Sequence, residues 1–574
     1  FDGNNAVRNS LYGKNAGNAI TTGDENTCIG ANAGDNITTG ANNTAIGAHA
    51  LTDISTTSNN TAVGRNALQD CVSTNNTAVG YSSGYAVNSG TRNTSMGYQS
   101  FAANTSGSYN TAIGADALES NTTASDNTAV GYNCFTANTT GTSNTGIGNN
   151  AADANTTGSG ITAVGRNACG ANTTASNNTA VGRSALVAND TGEKNTCIGA
   201  YAGNAGNTVH FNENVAVGYG ALGDVIDSSD HTVVGFEAQM TDCGSETTAF
   251  GFKTAKYNHS IRLVAIGPFA GLNNNTWPNT FIGYNSGGSS SDITGAASTA
   301  IGNYTLSKLT SGNSNTAIGH DAGKEITTGQ YNTACGAYSL DSNSTASYDT
   351  GFGYGTLSNI TSGWGDTAMG YHAGANITSA WGCTVIGNDA GKQITTGQDN
   401  TCVGHNSGSS INTGTTNTLV GVSTGDVLTT GSNNICIGFD VDPTSSTVSN
   451  TITLGNNSIS TLRCNQTSIS SLSDQRDKTE IIDLPIGLDF INKVRPVKFK
   501  WASRDGKQGK DGTYDAGFIA QEFQAVESST SVDYLNLVVD DNPDKLEATP
   551  NQLFPVLVKA VQELSAKVAA LEAA

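Results

Sequence analysis

Ser473 and Lys478 stand five residues apart in the run Ser473-Asp474-Gln475-Arg476-Asp477-Lys478, and the two side chains together can break a peptide bond. A serine hydroxyl lies next to its own N-terminal carbonyl. Here that is Leu472 C=O, and attack on it requires a base for the hydroxyl proton and a holder for the oxyanion. Lys478 can be the base, a role that calls for a partly buried amine with a lowered pKa. Asp474 and Arg476 lie between them, either as residues that orient the loop or as plain surface charges. Two other motif matches carry less. Gly218-Tyr219-Gly220-Ala221-Leu222-Gly223 fits G-x-G-x-x-G, and Gly80-Tyr81-Ser82-Ser83-Gly84 fits G-x-S-x-G. Neither follows a long strand and opens a helix, the setting that would place a phosphate or a nucleophile at a helix N-terminus. The eleven cysteines form no C-x-x-C pair, and the seven histidines include no closely spaced pair, so no metal or cofactor set is read.

Composition says what must position such a site. Of 574 residues 70 are glycine, with 13% charged, 7% aromatic and 36% hydrophobic, so apolar side chains are buried thinly. Residues 1–472 hold 14 basic and 30 acidic residues, a net charge of −16 that repels polyanions. Nucleic acid and anionic lipid both need the opposite sign. No apolar run reaches the roughly 18 residues that cross a bilayer, so membrane insertion is not expected either. Beginning at Phe1 without Met, the sequence is expected to lack its natural N-terminus.

The glycines are periodic. Aligned on Asn-Thr-Ala-(Ile/Val)-Gly, they run Gly13, Gly30, Gly47, Gly64, Gly80, Gly97 and onward to Gly455; of 26 intervals 20 are 17 residues, four are 16 and two are 19. Seventeen residues accommodate two strands of about five with two tight turns, whereas helical repeats need about 33. The residue before Gly is apolar (Ile29, Ile46, Val63, Val79) and the one before that is small (Cys28, Ala45, Ala62, Ala78), an alternation that marks a strand with two unlike faces. Gly permits a close backbone approach and Asn supplies turns and ladders. Stacked in register, the Ile/Val rows are expected to form a narrow continuous core. Cys28, Cys197, Cys402 and Cys436 replace Ala in one phase and are expected to pack as small hydrophobes. At about 4.8 Å per turn, a stack of all the repeats makes a rod on the order of 130 Å long. Aromatic residues in irregular turns, Trp277 and Tyr284 or Trp364 and Trp381, either contact a receptor or cap the thin core.

This repeat resembles the head repeats of trimeric bacterial adhesins and the shafts of phage tail fibres, which carry similar Asn-(Thr/Ser)-x-Ala-Ile-Gly turns in parallel β-rolls. The likeness implies a homotrimer. After Gly455 the composition changes. Three ordered segments, Ser473–Lys478, Arg495-Pro496-Val497-Lys498-Phe499-Lys500-Trp501 and Ala516-Gly517-Phe518-Ile519-Ala520-Gln521-Glu522, resemble the self-cleaving intramolecular chaperone at the ends of phage endosialidase tailspikes. That resemblance implies scission of Leu472–Ser473, with Ser473 as nucleophile and Lys478 as general base. Lys493, Lys498, Lys500, Lys507 and Lys510 are read as a solvated strand face. Phe554, Leu557, Val561, Leu564, Val568 and Leu571 follow a 3-4-3-4-3 spacing, the seam of a coiled coil.

The expected fold is therefore mostly β: a parallel β-roll or β-solenoid over 1–458, a linker with the cleavage site over 459–472, a small α+β chaperone domain over 473–550 and a coiled-coil helix over 551–574. The leading expectation is a trimeric virion fibre, made in the host cytoplasm, that binds a host surface receptor such as a glycan and joins other virion proteins through its N-terminal side. The end domain templates assembly and cuts itself off. A glycan-degrading tailspike needs paired carboxylates in a cleft, for which the unbroken repeat leaves no insertion. A cellular trimeric adhesin needs a membrane anchor, and a membrane-bound transcription factor with the same module needs a DNA-binding domain.

Overall fold

A computed structural model describes residues 8–204, 211–225, 228–240, 244–276, 278–459, 461–463, 473–502, 512, 514–540, 543–544 and 546–573. The chain falls into two compact units, residues 1–346 and 347–574.

The first unit is a parallel β-solenoid. Its strands, from Ser10–Tyr12 to Thr333–Cys335, are three or four residues long. Each pairs with the strand one turn on in constant register, as in Thr44↔Thr61, Ala45↔Ala62 and Ile46↔Val63. A 16-residue turn (Thr61↔Thr77) and a 19-residue turn (Thr196↔Val215) leave that register untouched, so length variation is absorbed outside the strand. Each turn holds one such strand, not the two longer ones expected from the period. The rest is a chain of bends with three left-handed positions per turn, for example Asp116 (φ 57°), Leu118 (φ 50°) and Asp126 (φ 62°). These bends still bond to their neighbours, because Asp116 N–H donates back to Tyr98 O at 2.9 Å and Leu118 N–H donates forward to Cys134 O at 3.0 Å. The ladder thus runs through the turns as well as the strands, which lets a strand of three residues suffice.

The repeat glycines stand in a column. A β-carbon built on Gly47 would fall 2.4 Å from Gly64 O, on Gly64 2.3 Å from Gly80 O, and on Gly80 2.2 Å from Gly97 O. With φ near +135° at these positions the column is closed to any side chain on two counts.

So tight a winding inverts the expected core. The small strand residues point inward, Ala45, Ala62, Ala112 and Cys197 all being fully buried, while the Ile/Val row faces outward and is half-buried or exposed. Ala33, Ala50 and Ala117, three residues after Gly, line the core beside them. Size is traded between neighbouring positions. Where the strand offers Gly146, the space a β-carbon would take lies 2.7 Å from the Phe135 ring, and where Gly34 stands, Ile37 fills in at 2.7 Å. The four cysteines read as packing residues are buried and free.

The second unit repeats the solenoid from Thr350–Phe352 to Ile452–Leu454, with the same register (Thr384↔Thr401). It ends in a small α/β module. Helices α1 (Leu488–Ile491), α2 (Ala520–Thr530) and α3 (Phe554–Glu572) surround a core of Phe490, Phe523, Val532, Leu535, Leu537, Leu553 and Val556. An antiparallel hairpin pairs Val497–Lys500 with Tyr514–Gly517. Among the described residues, no helix is long and apolar enough to cross a membrane.

Candidate functional site

Ser473 opens the α/β module. A 3-10 turn over Gln475–Asp477 follows, capped by Asp474, whose carboxylate accepts Arg476 N–H at 2.9 Å. The Arg476 guanidinium closes on the same carboxylate through Nε at 3.1 Å and Nη2 at 2.5 Å. These bonds, led by the guanidinium, hold the Asp474 carboxyl below its ordinary range. The turn has one consequence for chemistry: it folds Lys478 back so that Nζ donates to Ser473 Oγ at 2.5 Å. Ser473 and Lys478 are therefore brought together, and Asp474 with Arg476 stiffens the turn between them.

Two expectations meet a limit here. Leu472, the acyl side of the bond, lies outside the described residues. Lys478 is exposed, not partly buried as a general base would require, because the turn precedes the module's core and no element among the described residues covers it.

The three segments that carry the resemblance are tied by contacts which their order along the sequence does not reveal. Arg495 Nε donates to Glu522 Oε2 at 3.0 Å, and Nη2 pairs with Oε1, linking the second segment to the first turn of α2. From α3, Glu563 accepts Leu488 N–H at 2.8 Å and so caps α1. A β-carbon at Gly487 would sit 2.5 Å from that carboxylate, so glycine at 487 is the sole trace of the contact in the sequence. Lys498 and Lys500 lie 4.2 and 4.7 Å from the Tyr514 ring centroid on the exposed side of the hairpin. Lys507 and Lys510 lie outside the described residues.

Apolar side chains reach the surface in two places. On α3, Val556 and Ala560 pack inward, whereas Phe554, Leu557, Val561, Leu564, Val568 and Leu571 are all exposed. On the solenoid, the outward row exposes Met96 (47%) and Ile147 (45%) with neighbours such as Ile198 and Ile301. Beside it, aromatic rings line up from turn to turn. Tyr219, Phe236 and Phe252 stack face to face at 5.3 and 5.4 Å, and Phe269, Tyr284 and Tyr304 continue edge to face. Tyr284 is thus a rung in a ring ladder. Trp364 and Trp381 stack on each other at 5.6 Å. Trp277 lies outside the described residues.

No curated protein and no solved structure matches the chain. Residues 473–532, from the Ser473 turn through the hairpin and α2, match the family described as chaperone of endosialidase. The chain thus carries a segment of the endosialidase-chaperone family behind a β-solenoid, a pairing that fits a phage tail fibre or spike.

Proposed function

We propose that the protein is a structural virion fibre for host attachment, assembled as a homotrimer under its C-terminal module, which then cleaves Leu472–Ser473. The observation that carries this reading is the Lys478 Nζ to Ser473 Oγ contact at the first residues of the chaperone segment. In the cleavage step Lys478 takes the Ser473 hydroxyl proton and Oγ attacks Leu472 C=O. The Leu472–Ser473 C–N bond breaks, the leaving amine takes up a proton, and an ester joins Leu472 to Ser473 Oγ until water hydrolyses it. Leu472 keeps the new carboxylate and Ser473 recovers its hydroxyl.

Assembly supplies what the single chain lacks. The exposed α3 seam has heptad spacing and no partner among the described residues, which suits self-association. Chains drawn together there can cover the Ser473 turn, giving Lys478 the burial that a general base requires. The outward Ile/Val/Met row gives the solenoids a continuous apolar face for the same association, and a host surface receptor and other virion proteins complete the partners. Once the module is released, the fibre is held by its unfolding barrier.

Mass measurement of the purified protein beside Ser473→Ala and Lys478→Ala tests the reading. Two fragments, split at 472/473, are expected from the wild type and one full-length chain from each variant. Equal cleavage in all three would remove the dyad, and an uncut wild-type trimer would remove the processing step.

A further inference from the structure

The residue before most strands is a buried asparagine, and these asparagines form a ladder along the solenoid. Asn400 shows the rule: its Oδ1 accepts Asn417 N–H at 3.1 Å and its Nδ2 donates to Gly414 O at 2.8 Å. Each such member supplies one acceptor to the next turn and one donor to a turn carbonyl. In the second unit this row contains two carboxyls, Asp349 and Asp366, both fully buried.

Their acceptor half is intact. Asp349 Oδ1 takes Asp366 N–H at 3.0 Å, and Asp366 Oδ1 takes Cys383 N–H at 2.8 Å. The donor half is where a carboxylate fails. A β-carbon built on Gly397 would stand 2.2 Å from Gly414 O and 3.2 Å from Asn400 Nδ2. On Gly363 it would stand 2.1 Å from Ala380 O and 3.1 Å from Asp366 Oδ2. Asp366 Oδ2 therefore occupies the seat of the amide nitrogen, in front of the matching carbonyl, and is buried with no hydrogen-bond partner among the described residues. One turn on, Cys383 fills that seat with a thiol that donates to Gly397 O at 3.2 Å. An ionised Asp366 would set a carboxylate against a carbonyl oxygen away from water, which is unfavourable. A neutral acid completes the ladder, with its O–H donated to Ala380 O.

We propose that Asp349 and Asp366 are carboxylic acids standing in for ladder amides, and that their turns form a pH-set weak point in the solenoid, closed while both protons are held. Burial pushes Asp349 up to about 8 and Asp366 up to about 7. The carboxylates around them act in the same direction, Asp366 raising Asp349 and Asp399 raising Asp366, while hydrogen bonding from Cys383 opposes burial at Asp366 without cancelling it. The Cys383 thiol is itself pushed up to about 12 by burial. An aspartate in an opened turn ionises near 3.9. Closed turns therefore hold more protons than opened ones from about pH 4 to pH 8. Stability of these turns is complete below that window and falls as the pH rises through it. It levels off once the closed form has ionised too.

Amide exchange of the full chain between pH 5 and pH 8 tests this. Exchange at Asp366 and Cys383 is divided by that at Asn417 and Asn434, which removes the general acceleration by base. The wild-type ratio is expected to climb more than tenfold across the window, the linkage allowing up to about tenfold per pH unit for each carboxyl. Asp349→Asn with Asp366→Asn restores the amides and is expected to flatten it. A flat wild-type ratio overturns the proposal, and so does an unchanged slope in the double variant.

Discussion

Around the strand Thr111–Ile113 and the turn that follows it, the buried side chains include Ala112, Ala117, Leu118 and Asn121. In the C-terminal module they are Phe490, Phe523, Val532, Leu535, Leu537, Leu553 and Val556. The module is held by large apolar side chains in the ordinary way, at about 25 cal/mol for each Å² removed from water. A solenoid turn buries fewer of them, typically one large side chain such as Leu51, Phe101 or Leu118 beside its alanines. It is held by backbone bonds to the turns on either side and by amide ladders such as Asn138 to Asn121 and Asn155 to Asn138, at 3.0 and 2.8 Å. Stability there is a sum over neighbouring turns. The position that matters most is then the one with no side chain at all.

The largest expected effect follows from that difference. A β-carbon at Gly114 (φ 134°) would lie 2.3 Å from Gly131 O, and a backbone carbonyl in a ladder cannot step aside. Gly114→Ala is expected to cost on the order of 4–5 kcal/mol, read as lost exchange protection across the turns around residues 97–131. Gly365 (φ 73°) has nothing within 4 Å of its β-carbon site. Gly365→Ala should therefore cost only the left-handed penalty of about 1–2 kcal/mol. Equal costs at the two sites would break the distinction between column and bend.

Phe523→Ala probes the other region. Removing a buried ring costs about 3–5 kcal/mol in an ordinary core. The loss is expected in the module alone: α2 and α3 should lose exchange protection while the Asn417 and Asn434 amides keep theirs. Loss of protection at both places would show that the module's core also supports the repeat.

How much of this the sequence discloses depends on the residue. The Gly47, Gly64, Gly80 column was legible, because no other residue tolerates that backbone and the period repeats many times. The Ser473–Lys478 pair was legible because a short turn joins it. The direction of the strand faces was not. Alternation of Ala45 with Ile46 says that two faces differ, and hydrophobicity favours Ile inside. Winding the chain through three left-handed bends per turn favours small residues inside, and larger ones such as Phe281 and Leu419 fit where glycine (Gly287, Gly425) faces them, a constraint visible in the fold and not in composition. Asp349 and Asp366 were hidden for another reason. Aspartate and asparagine are equally at home in turns, so only the place of Asp366 Oδ2 in front of Ala380 O separates a ladder acid from a surface charge.

The smallest effect on a single chain should come from the outward row, and it is the one that most sharpens the contrast. Met96 and Ile147 are nearly half exposed, so burial in their own chain gains little from them. Met96→Thr with Ile147→Thr keeps a β-favouring residue at each site and should alter the unfolding free energy of the separated chain by no more than about 0.5 kcal/mol per site. If this row is the face on which solenoids associate, the same pair of changes should shift sedimentation of the purified protein from trimer toward single chains, with the circular dichroism of the repeat unchanged. A solenoid uses its inner row for its own stability and leaves the outer row for partners only if those two readouts separate. Unchanged sedimentation together with unchanged stability would return the row to plain solvent-facing surface and leave the α3 seam as the one apolar face proposed for assembly.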